Sequence, residues 1–372
     1  MLQIYQSVLA YNYTFTNKPI EPFAKLIKSK HLALIKDINL NYLPASWGLR
    51  FQLDRRYGET INRTNDNTGG SVFIPAYYDK LYTMKRTYDL GWNLSKSIKL
   101  DYNAIADARI DEPNGRIDES TQDKRDTISN NLLKGGRLTQ YNQTIRGTYT
   151  IPINKLPFLD FINQSTYSYS VNYQWKQAPP AADSLGNTIQ NSRQQQLNIG
   201  ANLITLYNKV KFLKDINTPT TAKQSTPKSK QPTNPKGKNG KALQPEEDQE
   251  KEAREIPVLA KTFFKMLMGV KNVTGAYSLT EGTMLPGFKP KPDFLGNNAD
   301  LSAPGYGFIL GDQNPSYRYD AAKNGWLAND SRMNNAFAQN IQERINGTVT
   351  IDPIEDLRIV LTVERSNSNK AE

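Results

Sequence analysis

Between Tyr167 and Lys176 the chain alternates without a break. Tyr167, Tyr169, Val171, Tyr173 and Trp175 fall on one face of an extended segment, and Ser168, Ser170, Asn172, Gln174 and Lys176 fall on the other. This period of two specifies a strand whose faces meet different surroundings. The apolar face is aromatic instead of branched aliphatic, and Tyr and Trp favour places where a ring lies in apolar material while its polar tip reaches water, above all the margins of a bilayer. The pattern predicts a lipid-facing row at Tyr167, Tyr169, Val171, Tyr173 and Trp175, backed by a lumen-facing row at Ser168, Ser170, Asn172 and Gln174.

The pattern recurs. Leu9, Tyr11, Tyr13 and Phe15 alternate with Ala10, Asn12, Thr14 and Thr16, which adds Tyr11, Tyr13 and Phe15 to the lipid-facing set. Trp47, Leu49, Phe51 and Leu53 alternate with Gly48, Arg50, Gln52 and Asp54. Tyr82, Met84, Tyr88, Leu90, Trp92 and Leu94 form a third such row, in which Arg86 reads as a strand end outside the hydrocarbon. Strands are predicted over 4–16, 38–56, 81–94, 97–110, 138–153, 164–177 and 189–207, then over 270–280, 337–351 and 357–365. Several reach the roughly 9 to 11 residues that cross a bilayer, whereas soluble strands centre near about 5 or 6. The expected fold is all-β, a segment of an antiparallel transmembrane β-barrel with long polar loops.

A hydrophobic fraction of 37% and a mean hydropathy of -0.65 would suit a modestly cored soluble chain. A polar lumen and polar loops dilute the apolar face of a barrel in the same way. The longest apolar run, Val258 to Val270, is broken by Lys261 and Lys265, so any spanning falls to strands. Alternation begins almost at Met1, with no basic and apolar leader ahead of it, and the reading is a chain truncated at its front.

The absence of cysteine excludes disulfides, thiolate chemistry and Cys-ligated metals, and the single His31 excludes multi-His sites and reads as a strand-end or loop residue. A formal charge of +11 raises nucleic-acid binding. Much of that excess sits in one Pro- and Thr-rich stretch carrying Lys223, Lys228, Lys230, Lys236, Lys238 and Lys241, and acidic residues from Glu246 to Glu255 follow it. Residues 218–255 therefore read as a disordered Lys/Pro/Glu-rich loop. It divides barrel strands and loops over 1–217 from further barrel strands and loops over 256–372, and no nucleic-acid partner is expected. Short turns such as Ser95-Lys96-Ser97, against long polar segments such as 62–70 and 111–131, match the two ends of an outer-membrane barrel.

Chemical motifs are sparse. Asp111, Glu112, Asp118 and Glu119 flank Pro113-Asn114-Gly115, a turn signal that misses the spacing of a calcium loop, so a solvated hairpin loop is expected there and no metal site. Gly305, Gly307 and Gly311 follow neither dinucleotide nor P-loop spacing. No catalytic residue, metal ligand or cofactor is assigned, and no enzyme is expected.

Seven phrases stand in order along the chain: Leu34 to Pro44, Ala108 to Asp118, Leu185 to Ser192, Leu206 to Val210, Leu285 to Phe288, Ala303 to Phe308 and Asn324 to Leu327. Together they resemble the SprA/Sov family, the giant outer-membrane translocon of the type IX secretion and gliding-motility machinery of Bacteroidota. The Lys/Pro-rich stretch carries none of the resemblance. The family implies a very large single-chain barrel in the bacterial outer membrane, passing folded cargo through a wide polar lumen. Its implied partners are outer-membrane lipid, secreted cargo proteins, and capping, plug or shuttle proteins of the same system. About ten strand candidates are too few for such a barrel, so the expectation is a segment of its wall. The alternatives are a TonB-dependent-receptor or porin-like barrel, and a soluble β-sandwich binding module, whose strands would be shorter and whose inner face would be rich in branched aliphatics.

Overall fold

A computed structural model describes residues 2–23, 39–61, 75–117, 121–156, 158–217, 258–354 and 356–371. His31, Asp118, Glu119, much of the phrase from Leu34 to Pro44 and the loop expected over 218–255 lie outside the described residues.

Ten strands follow one another: β1 (Leu2–Thr14), β2 (Ser46–Thr60), β3 (Tyr77–Trp92), β4 (Ile98–Arg109), β5 (Arg137–Thr150), β6 (Ile162–Lys176), β7 (Asn187–Asn202), β8 (Val270–Phe288), β9 (Ala338–Ile354) and β10 (Leu357–Ala371). They form one antiparallel sheet whose spatial order is the sequence order, with β1 and β10 at its two edges. The sheet is not closed, and no helix among the described residues is long and apolar enough to cross a membrane. Each strand pairs with the next in the chain, so the period of two is transmitted across the sheet: residues opposite one another share a face, and apolar rows meet apolar rows.

Local chemistry fixes the ends. The Ser95 hydroxyl accepts from the backbone N–H groups of Ser97 and Ile98, at 3.1 and 2.9 Å, and closes the short β3–β4 turn. β7, expected to continue to residue 207, stops at Asn202, whose side chain accepts from the N–H of Ile204 at 3.0 Å and caps the short helix α2 (Leu203–Tyr207). Helix α1 (Gln122–Leu133) lies between β4 and β5 and ends before Gly135 and Gly136, both at positive φ. A side chain at Gly136 would come within 2.9 Å of the Arg109 carbonyl, so only glycine fits. Phe15 lies just past the end of β1, although its N–H still bonds the Ala45 carbonyl at 3.0 Å.

Connection length does not sort the way the sequence suggested. Connections after even-numbered strands (61–76, 110–136, 177–186, 289–337) are all substantial. Those after odd-numbered strands include the short 93–97 and 355–356 but also 15–45 and 203–269.

Two compact units can be distinguished. The larger comprises residues 1–201, 274–347 and 362–372 and contains most of the sheet. The smaller comprises 202–273 and 348–361. It holds α2, α3 (Lys211–Asn217) and α4 (Val258–Leu267), with Phe212 edge-on to Phe264 at 5.1 Å. The Tyr207 hydroxyl donates to the Val270 carbonyl at 3.0 Å, and Lys271 pairs with Asp352 at 2.9 Å.

Candidate functional site

The candidate surface is the sheet itself, and its two faces differ in kind. One row across β1–β7 reads Asn12, Gly48, Asp89, Asn103, Thr144, Asn172, Ser192. The next row on that face reads Thr14, Ser46, Gly91, Asp101, Arg146, Ser170, Gln194. Neither contains an apolar side chain larger than glycine. Cross-strand hydrogen bonds tie these groups together: Asn103 Nδ2 donates to Asp89 Oδ1 at 2.6 Å, Asn172 Nδ2 donates to Thr144 Oγ1 at 3.1 Å, and Gln190 Nε2 donates to Gln174 Oε1. The four residues expected to face a lumen, Ser168, Ser170, Asn172 and Gln174, all lie on this polar face. A pocket of about 450 Å³ gathers Asn172 of β6, Gln190 and Ser192 of β7, Asn340 of β9 and Lys370 of β10.

The opposite face is aromatic. Its rows include Tyr13, Trp47, Leu90, Tyr102, Ile145, Val171, Arg193 and, nearer the β6–β7 connection, Leu9, Phe51, Arg86, Ala106, Tyr141, Trp175, Ile189. Part of it is covered by the chain. The segment 289–327 contains α5 (Tyr306–Ile309) and α6 (Tyr317–Lys323) and packs over the ends of β6, β7 and β8. Phe308 stands edge-on to Tyr173 at 6.2 Å and stacks on Tyr317 at 4.5 Å. Polar contacts fasten the cover. Trp175 Nε1 donates to the Pro290 carbonyl at 3.0 Å, Asn191 Nδ2 donates to the carbonyls of Phe308 and Asp312 at 2.7 and 3.1 Å, and the Tyr169 hydroxyl donates to the Leu310 carbonyl at 2.6 Å.

This corrects three residues. Val171, Tyr173 and Trp175, expected to face lipid, are at most 1% exposed and face the chain's own segment. Alternation distinguishes the two faces but carries no information about what lies above one of them. Tyr11 and Tyr13 are exposed, and Phe15, just outside β1, is half-buried with its ring edge-on to Tyr13 at 4.7 Å. Tyr167 is half-buried, its hydroxyl donating to Gln195 Oε1 at 2.9 Å.

A second cover lies over the far ends of β2 and β3. The loop expected to be solvated at 110–117 folds onto the aromatic face, where Glu112, its side chain 3% exposed, meets Arg55 at 2.6 Å. The Arg55 guanidinium sits 6.0 and 5.8 Å from the rings of Tyr57 and Tyr82. Lys80 Nζ donates to the carbonyls of Pro113, at 2.7 Å, and Gly115. Asp111 pairs with Arg137 at 2.9 Å, and the hydrogen bond from that guanidinium holds the Asp111 carboxyl below the usual carboxylate range. Among the described residues no group of three or more His, Cys, Asp or Glu side chains is placed to hold a metal ion.

A comparison of the sequence with protein-family models and with curated proteins finds no match. Sequence reasoning missed both covers. The signal for the larger one was Phe288, Phe308, Ile309 and Trp326, apolar residues without a regular period that alternation cannot place.

Proposed function

We propose that this chain forms part of the wall of a bacterial outer-membrane β-barrel that passes protein through a polar lumen without covalent chemistry, as the resemblance to the type IX translocon family implies. The observation that carries this reading is the separation, across β1–β7, of rows without large apolar side chains on one face from aromatic rows on the other, within strands of 12 to 16 residues. Soluble strands average about 5 or 6 residues, and about 9 to 11 suffice to cross a bilayer. Amide, hydroxyl and mixed-charge rows stay hydrated and offer a passing chain nothing apolar to adhere to. Aromatic rows suit lipid, with Tyr and Trp at its margins. Unpaired strand edges are not tolerated in hydrocarbon, so β1 and β10 pair with further strands of the same wall. The partners are lipid outside, cargo inside, and capping or plug proteins at the mouth.

A soluble binding module is the competing reading, and the cover over residues 171–175 favours it. Against it stand Tyr11, Tyr13, Trp47, Tyr149 and Ile199, 39 to 52% exposed on the same face with no cover among the described residues. Two adjacent substitutions separate the readings. Ile145→Arg puts a cation on the aromatic face, which costs about 2 to 4 kcal/mol at mid-depth in a barrel, whereas Thr144→Arg points the same group into the lumen. The expected outcome in cells is loss of outer-membrane assembly for Ile145→Arg alone, read as surface protease resistance. Equal assembly of both variants overturns the wall reading. A bulky polymer maleimide attached at Ser170→Cys, on the polar face, is expected to block cargo release.

A further inference from the structure

In β2, β3 and β7 charge on the aromatic face is confined to one end of the strand. Moving away from the covered ends, the last charged side chain on this face is Arg55 in β2, Arg86 in β3 and Arg193 in β7; in β8, Glu281, which pairs with Arg193 at 2.6 Å, is followed on the same face by Lys271. Beyond these, residues 46–54 of β2, 87–92 of β3 and 194–202 of β7 carry no charge on the aromatic face, nine, six and nine residues. A barrel strand needs about 9 to 11 residues to cross hydrocarbon. The remaining stretches of β2 and β7, 55–60 and 187–193, are surplus to that length. They are also where the loops at 110–117 and 289–327 lie.

The boundary has a slope as well as a depth. The row through Arg193 meets β2 at Trp47, and Arg55 stands eight residues farther along that strand. A step of that size between β2 and β7, at about 3.3 Å per residue and about 4.8 Å per strand, gives an angle of about 45°. Membrane barrel strands are tilted by about this much, so a charge boundary level with the membrane plane should climb the register at that angle.

We propose, resting on the membrane-wall reading, that in β2, β3 and β7 hydrocarbon touches only the charge-free part of the strand. The part bearing Arg55, Arg86 and Arg193 stands in water beyond the headgroups, under its two covers. The exposed Leu310 and Tyr319 of the larger cover, at 46 and 62%, are then surface residues and not lipid anchors.

The chain contains no cysteine, so single thiols report position directly. In the full chain, in intact cells, Leu49→Cys and Leu197→Cys sample the charge-free windows, and Leu310→Cys and Tyr319→Cys sample the cover. Labelling with a membrane-impermeant maleimide is compared with a lipid-soluble one, each normalised to total thiol after denaturation. The expected result is that Leu310→Cys and Tyr319→Cys take the impermeant reagent, while Leu49→Cys and Leu197→Cys take only the lipid-soluble one. Shielding of all four from the impermeant reagent overturns the depth assignment and leaves the membrane reading standing. Impermeant labelling of Leu49→Cys and Leu197→Cys overturns the membrane reading, and the depth assignment with it.

Discussion

The two ends of β6 carry the same kind of residue on the same face and have different surroundings. Tyr173 and Trp175 are 0% exposed, with Phe308 against one ring and the Pro290 carbonyl on the other's N–H. Tyr167 lies opposite the exposed Tyr149, and its hydroxyl bonds Gln195 of a neighbouring strand. Tyr169 stands between them, its hydroxyl reaching the edge of the cover at Leu310. A row of alternating aromatics thus fixes a face, while non-local packing decides whether that face meets protein or something outside the chain.

The largest expected effect tests that contrast directly. Trp175→Ala removes a fully buried ring and the hydrogen bond that ties Pro290, and such truncations cost about 3 to 5 kcal/mol. Tyr167→Ala removes a half-buried ring from the uncovered end and is expected to cost clearly less. Guanidinium unfolding of the detergent-solubilised protein gives the difference, and limited proteolysis within 289–327 reports whether the cover has lifted. Equal losses for the two variants would mean that the two ends of β6 are packed alike.

The second effect compares a covered ion pair with an open one. Glu112→Gln leaves Arg55 without its carboxylate beneath the 110–117 loop, and a lost hydrogen bond between charged groups costs about 1.5 to 3 kcal/mol. Arg56 and Asp79, 3.3 Å apart with both side chains about half exposed, form the control. Asp79→Asn is expected to cost at most about 1 kcal/mol, as exposed pairs do. Protease cleavage between residues 110 and 117 should rise for Glu112→Gln and not for Asp79→Asn. The reverse pattern would remove the loop from the list of covers.

These comparisons show what was legible in the sequence. Strand type, antiparallel order and the membership of each face followed from the period of two, because a side chain's face is a local property of the backbone. Ser168, Ser170, Asn172 and Gln174 share a polar face for that reason. The burial of Val171, Tyr173 and Trp175 depends on residues more than a hundred positions away, Pro290 and Phe308 among them, and no local signal encodes that contact. Glu112 was misplaced for the same reason: Pro113-Asn114-Gly115 announces a turn but not that the turn folds back onto Arg55. Arg86, read as a strand end because a charge interrupts the aromatic row there, lies in the middle of β3: one charge does not stop a strand whose backbone is paired on both sides.

A third, smaller effect compares two glycines. Gly311 has a φ of 88°, and a side chain there would lie 3.0 Å from Arg193 Cβ and 3.1 Å from Val171. Gly147, in the uncovered part of β5, has nothing within 4 Å of the same position. A left-handed conformation costs a non-glycine residue roughly 1 to 2 kcal/mol, so Gly311→Ala should loosen the cover by about that amount while Gly147→Ala leaves stability unchanged. Hydrogen exchange of the amides of Phe308 and Gly311 reads the loosening. Unchanged protection in Gly311→Ala would show that the cover yields at this point without detaching.

The smallest effect is on pH and again belongs to a cover. The Arg137 guanidinium lowers the Asp111 carboxyl below its unfolded value, so the contribution of this pair is fully present above the ordinary aspartate range, near about 3.9, and is lost as pH falls through the lowered folded value. Asp111 is half exposed and screened by solvent, which holds the contribution below about 1 kcal/mol. The loop carrying Asp111 should become more sensitive to an acid-stable protease as the pH is taken below 4, by a small factor. Asp111→Asn should flatten that response and leave the protein near neutral pH slightly less stable. Because Asp111 lies in a cover and not on a charge-free window, its acid response is predicted to be the same in detergent and in membranes. A response that disappears on membrane insertion would place the 110–117 loop against lipid headgroups and move the depth boundary along β2 and β3.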